Sequence, residues 1–354
     1  MMKGLKPIVF WEGFPVCGLL LKRVVEEFGE DIIITATRPK VPFEGLERTL
    51  NHEILWFDEP NDIWKRRDEF SDRNLIIHTG WTHKGWLHYD KYMKKKNKAK
   101  VVVVVDNSYR GDIRQTFGAI YFRLFLKKYF DAAFVPGVSG RKLMEFFGMP
   151  RDKIYSPNYG AFEEIYKSKI PIEARKNEFL FVGQLNKRKG LDVLIEGFNQ
   201  YKREGGSWSL RILGDGELRS VCNGKDITCE GFMQPSQIAD SMNNAKVFIL
   251  PSRLDNWGTV VCEAAACGMQ LIITKTVGAS DDILEEGKNG IKLYKLEPKY
   301  IKEALLYFEK MDDKNLKKGS EVSIEKAQAF DSHAYYRAFM SFADELIKNE
   351  NNLR

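Results

Sequence analysis

Two carboxylates, Asp255 and Glu263, stand eight residues apart in the run LPSRLDNWGTVVCEAAACGMQLIITKTVGASDDILEEGKNGIKL, residues 250–293. A Trp257-Gly258 turn separates them, and the small-residue stretch EAAACG predicts a helix that opens at Glu263. A helix N-terminus offers unpaired N–H groups and a positive dipole end to a diphosphate. Carboxylates accept hydrogen bonds from sugar and ribose hydroxyls, and Gly258 lets the backbone approach a ligand closely. An acid on a loop, a glycine and an acid at a helix start therefore suit a sugar nucleotide. Asn256, Trp257, Gly258 and Thr259 share the turn and are candidate contacts.

Cations gather in a second motif, Val182-Gly183-Gln184-Leu185-Asn186-Lys187-Arg188-Lys189-Gly190, between a strand and a helix. Positive charge there would stabilise a developing anion, with Lys189 the principal candidate beside Gly183 and Gln184. Gly214-Asp215-Gly216 reads first as a structural turn, and Gly231-Phe232-Met233 follows the next expected strand. In the first half, Gly13-Phe14 follows the first strand and Asp106 follows the apolar run Val101–Val105. Asn107, Ser108 and Arg110 lie close by, and His78 at another strand end is a rival to Asp106. No Asp-x-Asp triplet is present to bridge a divalent ion to a diphosphate. The five His and five Cys show no metal-ligand spacing, so no metal and no cofactor is expected.

The 250–293 segment resembles the nucleotide-sugar site of the family 4 glycosyltransferases, also called glycosyl transferases group 1, which are retaining enzymes of the GT-B fold. Their signature is an acid, seven residues and a Glu ahead of small residues; here it reads DNWGTVVCE followed by AAACGMQLII, with Asp255 where the family usually has Glu. The resemblance implies that Glu263 binds the ribose and Asp255 faces donor-sugar hydroxyls. VGQLNKRKG is similar to the family's V-G-R-L-x-x-x-K-G, in which an Arg and a Lys hold the diphosphate. Lys189 matches the Lys, and Gln184 stands in place of the Arg. By the same resemblance Gly13 and Phe14 lie near donor phosphates and acceptor, Gly214, Phe232 and Met233 near the nucleotide, and Asp106 where many members have a His. Asp106, Lys189 and Asp255 are thus the expected catalytic set. The expected function is transfer of a sugar from a nucleoside diphosphate, most often uridine, to a hydroxyl of a glycan or lipid-linked glycan. Front-side substitution then replaces the flanking carboxyl pair of the glycosidases.

These residues need strand ends to hold them. Short apolar runs alternate with amphipathic segments, which predicts an α/β chain of parallel sheets flanked by helices. Strands are expected at Pro7–Trp11, Asp31–Thr35, Glu53–Phe57, Leu75–His78, Lys100–Val105 and Ala132–Val135, then at Glu178–Val182, Ser209–Leu213, Ile227–Cys229, Lys246–Leu250 and Gln270–Thr274. A polar linker over about 161–177 places the boundary near 170. The expectation is two Rossmann-like doubly wound domains, 1–170 for acceptor and 171–334 for donor, facing a central cleft. A C-terminal helix, 335–354, is expected to cross back to the first domain.

The chain has 354 residues, 44% hydrophobic and 29% charged, with 5 Cys and a formal net charge of +6. Its longest apolar runs are far too short to span a bilayer, and the N-terminus lacks a signal-peptide pattern, so a cytoplasmic location is expected. Residues 1–170 carry a net +7 and the remainder −1. Much of the excess lies in Lys91–Lys100, which suits anionic lipid, a phosphorylated acceptor or a solvated helix end. The aromatic stretch Tyr121–Phe130 reads either as a core helix or as a contact with the inner face of the membrane. Two other classes stay open: a non-catalytic nucleotide-sugar-binding subunit, and nucleic-acid binding through Lys91–Lys100, though no nucleic acid is expected as partner. A dinucleotide oxidoreductase is disfavoured because no G-x-G-x-x-G follows a strand.

Overall fold

A computed structural model describes residues 4–39 and 43–351. In the first unit, strands β1 (Pro7–Trp11), β2 (Ile33–Thr37), β3 (Ile54–Phe57), β4 (Leu75–Thr79), β5 (Lys100–Val104), β6 (Ala132–Phe134) and β7 (Ile154–Tyr155) alternate with helices α1 (Lys22–Phe28), α2 (Leu46–Leu50), α3 (Asp62–Lys65), α4 (Lys84–Asn97), α5 (Ile113–Tyr121) and α6 (Val138–Phe146). The strands form one sheet in the order β3-β2-β1-β4-β5-β6-β7, every pair parallel. Val101, Val102 and Val103 are fully buried, as a β-branched strand covered on both faces must be.

The second unit holds β8 (Lys176–Val182), α7 (Leu191–Arg203), β9 (Ser209–Leu213), β10 (Ile227–Glu230), α8 (Pro235–Asn244), β11 (Ala245–Leu250), α9 (Thr259–Ala266), β12 (Gln270–Thr274), β13 (Gly290–Leu293), α10 (Pro298–Glu309) and α11 (Asp313–Gln328). Its parallel sheet runs β10-β9-β8-β11-β12-β13.

The division falls between Tyr159 and Gly160, about ten residues before the expected boundary. The stretch read as a polar linker folds into the second unit. Phe162, Tyr166 and Ile172 are buried, and the Arg175 guanidinium donates to the carbonyls of Ile170 and Cys267. Entry and exit of this unit lie side by side: Ala161 N donates to Phe330 O at 2.9 Å, and a Cβ on Gly160 would sit 1.7 Å from that oxygen. The last helix, α12 (Ser332–Asn351), belongs to the first unit. Tyr335 and Phe342 pack on Phe134, and Glu345 accepts from Lys153 and Tyr155.

Candidate functional site

In a parallel sheet, ligands bind beyond the carboxyl ends of the strands, at the point where strand order reverses. In the second unit that point lies between β8 and β11. The loop after β8 carries Gly183, Gln184 and Lys189, and the loop after β11 carries Asp255, so the crevice is flanked by both motifs read from the sequence. Lys189 Nζ forms an ion pair with Asp255 Oδ2, and each side chain is only 12% exposed. The Lys189 turn is held by Asn186, whose Oδ1 accepts from Lys189 N at 3.0 Å. Asp255 is fixed by its backbone, donating to Thr276 O at 3.2 Å and accepting from Gly278 N at 3.1 Å. Gly190 ties the two loops together: φ is +73°, and a Cβ there would lie 1.8 Å from Pro251 O.

Gln184 lacks the charge of the Arg that usually occupies its place. Arg188 reaches the same spot from one turn later. Its Nη2 donates to Gln184 Oε1 at 3.3 Å and its Nη1 to Leu254 O at 3.1 Å. Two cations, Lys189 and Arg188, therefore stand at one crevice, a composition suited to a diphosphate.

Helix α9 begins at Thr259, not at Glu263. Gly258 is its N-cap at φ +84°, with no side-chain capping bond, because only a residue tolerant of the left-handed region can turn the chain there. Its first N–H groups thus lie next to Asp255. Glu263 is the fifth helical residue and is 9% exposed. Burial pushes its carboxyl up to about 7, opposed in part by a hydrogen bond from Tyr166. Trp257 had been an expected ligand contact, but its indole is buried and packs 5.4 Å from the Phe330 ring; only its backbone remains at the turn. Asn256 and Thr259 are half-buried beside it.

The glycines after β8 and β9 pack backbone to backbone. A Cβ on Gly214 would meet Gly183 O at 1.9 Å, and Gly214 N donates to the carbonyls of Glu230 and Gly231. Gly214 is a spacer that joins three strand ends. Next to it Phe232 is 49% exposed and Met233 half-buried.

The first unit repeats the geometry. Strand order reverses between β1 and β4, and a cavity of about 490 Å³ opens there, lined by Glu12, Gly13, Trp81, Asp106 and Arg114 among others. Gly13 (φ +62°) donates to Thr37 Oγ1 at 2.8 Å, and His83 bonds Glu12 at 2.9 Å. The Asp106 carboxyl is raised, first because the pocket walls displace water, then by the Glu12 charge. Asn107 donates to it at 3.1 Å. Arg110 instead turns to Asp112, at 3.3 Å. Phe14, expected near the ligand, is fully buried under Gly18, where a Cβ would lie 2.4 Å from its ring; the apolar ring belongs to the core. His78 is buried as well, bonded to Asp90 at 3.0 Å and stacked on Trp86, so it does not rival Asp106. A larger cavity near Tyr307 and Asn315 involves the residues before β13, at the amino ends of the strands.

Tyr166, Arg188, Glu12 and Arg114 were not singled out as site residues from sequence. Tyr166 was hidden by its assignment to a linker.

Residues 162–325 match the family model for glycosyl transferases group 1. An uncharacterized glycosyltransferase of Methanocaldococcus jannaschii, MJ1178, is 29% identical over 38% of this chain and 38% of its own length. The putative colanic acid biosynthesis glycosyltransferase WcaL of Escherichia coli K12 is 25% identical over 49% of this chain and 46% of its own. The chain thus spans less than half the length of these curated relatives. Among solved structures, Anabaena Alr3699/HepE in complex with UDP superposes with a TM-score of 0.76 at 13% identity, covering 96% of this chain and all of that one. At that identity the likeness concerns fold, and the fold is GT-B, built of two Rossmann-like domains. Over residues 162–325 the chain is similar to the glycosyl transferases group 1 family.

Proposed function

We propose that this chain is a retaining glycosyltransferase. It moves a sugar from a UDP-sugar to a hydroxyl of a glycan or lipid-linked glycan, in cell-surface polysaccharide or glycolipid synthesis. The observation that carries this is the half-buried Lys189–Asp255 pair at the β8/β11 crevice, beside Arg188 and the N-terminus of α9. The glycosyltransferase relatives, and a neighbour of the same fold that holds UDP, support it.

Each group has a task in this scheme. Lys189 and Arg188 meet the diphosphate and stabilise the charge that grows on it as the glycosidic bond breaks. When Lys189 turns to phosphate, Asp255 is released to accept from donor-sugar hydroxyls. Glu263 accepts from the ribose, and the loop at Phe232 and Met233 meets the base. In the first unit, the cavity with Gly13 and Asp106 receives the acceptor. The leaving phosphate oxygen takes the proton of the incoming hydroxyl while the new bond forms on the same face, so no protein nucleophile is needed.

The test is calorimetric titration with UDP, GDP and ADP, with and without chelator, on wild type and Glu263→Ala. Preferential UDP binding that survives chelator and collapses in the variant is expected. Absence of binding by all three nucleotides overturns the proposal.

A further inference from the structure

Helix α5 continues past Tyr121 through a π-helical turn, Phe122–Leu126, and a 3-10 turn, Lys127–Tyr129. Six large apolar side chains on it face solvent: Ile113, Phe117, Ile120, Tyr121, Leu124 and Phe125, between 50% and 76% exposed. At 100° per residue they fall within an arc of about 140°. Gln115, Ala119, Phe122 and Leu126, on the opposite arc, are buried. The helix is therefore apolar on both faces. One face fills the core, and the other is a stripe about 18 Å long, from the twelve rises of about 1.5 Å between Ile113 and Phe125. Contiguous exposed apolar surface of this kind marks a contact site.

Charge says what the stripe contacts. Between Ile113 and Phe130 there are four cations, Arg114, Arg123, Lys127 and Lys128, all exposed, and no acid. Helix α4, whose last turn carries Lys94, Lys95 and Lys96, packs against the Lys127–Tyr129 turn. Lys94 pairs with the nearby Asp131 at 2.6 Å, which removes that carboxylate from the field. Apolar and aromatic side chains in a stripe with a basic rim match the boundary between anionic headgroups and acyl chains. A second copy of this face would bring cation against cation.

We infer that the α5 face, Ile113–Phe125 with its basic rim, docks the chain on an anionic lipid surface. Among the described residues no helix is long and apolar enough to cross a membrane, so the contact is along the surface. The stripe starts beside Arg114, which also lines the cavity of the first unit. An amphiphilic acceptor lying in the same surface would thus present its head group to that cavity. This last step rests on the transferase proposal; the docking surface does not.

The experiment is flotation of the full chain with vesicles, without nucleotide. Vesicles of phosphatidylcholine with an equal part of phosphatidylglycerol are compared with phosphatidylcholine alone, for wild type, Phe117→Ser/Leu124→Ser/Phe125→Ser and Lys127→Glu/Lys128→Glu. These side chains are exposed, and thermal melts verify that the variants fold. Wild type should float with anionic vesicles only. Lys127→Glu/Lys128→Glu should bind at least about twentyfold less, at roughly fivefold for each basic residue, and Phe117→Ser/Leu124→Ser/Phe125→Ser should stay in solution. Absence of anionic flotation, or flotation unchanged in both variants, overturns the inference. So does a wild-type dimer that ignores vesicles and becomes monomeric in Phe117→Ser/Leu124→Ser/Phe125→Ser, since the stripe would then join two copies.

Discussion

Glu263 should make donor binding depend on pH in a range where ordinary carboxylates do not titrate. Burial raises its carboxyl to about 7, because removal from water penalises the charged form. Only the ionised carboxylate accepts freely from both ribose hydroxyls. At pH 8 about nine tenths of the unliganded protein carries that charge, and at pH 6 about one tenth, so affinity should fall about tenfold between them, about 1.4 kcal/mol. The assay is titration with a UDP-sugar, whose phosphates stay ionised across this range, so that only the protein titrates. Glu263→Gln should bind with a flat profile near the weak, acidic limb of wild type. The same group sets a stability slope of known sign. Its folded value, about 7, exceeds the ordinary 4.5, so the folded state holds the proton more tightly. Its contribution to stability is present below 4.5 and is lost as pH rises to 7, amounting to about 3 kcal/mol. A wild-type affinity that is flat from pH 6 to 8, or a step that persists in Glu263→Gln, refutes the assignment of Glu263 to the ribose.

Three further outcomes are expected. Lys189→Ala should lower kcat by about 10²–10³ with a smaller effect on KM, as loss of one group that stabilises a developing anion does; steady-state kinetics on the preferred UDP-sugar reads both. Arg188→Ala should weaken UDP binding about tenfold by calorimetry, the loss of one charge-assisted hydrogen bond, and Gln184→Arg in that background should restore it. Gly190→Ala should cost more than about 2 kcal/mol in urea unfolding, since the new Cβ would overlap Pro251 O at 1.8 Å with φ at +73°.

The sheets were legible because buried parallel strands leave a plain mark. Val101–Val105 and Val247–Leu250 are continuous apolar runs, and both lie in sheet interiors. Helix α4 was legible only at its end, as the solvated helix end that Lys91–Lys100 allowed. Its buried face is Gly85, Trp86, Tyr89, Asp90 and Met93, with an acid and two amphipathic rings among five residues, so the helical period is masked. Tyr121–Phe130 left two readings open for a related reason. Its apolar residues cover both sides of the helix, and composition cannot say which side has a partner.

At the site, the sequence reached residues whose chemistry depends on type and missed those whose role depends on direction. Lys189 and Asp255 stand out in their motifs as a cation and an acid, and the strand order brings them together. Phe14, beside Gly13, and Trp257, beside Asp255, sit in such turns yet point into the core, because a strand-end turn buries one neighbour as it presents the next. Gln184 shows the same division from the other side. Counted along the chain, it is a missing charge. In three dimensions the turn Lys187–Lys189 folds Arg188 back onto the Gln184 amide oxygen, and the charge returns to the crevice from four residues away. The β8/β11 crevice thus holds its second positive charge from a different position in the chain. Gln184→Arg in an otherwise native chain should therefore gain little, since the incoming guanidinium would face the one already there.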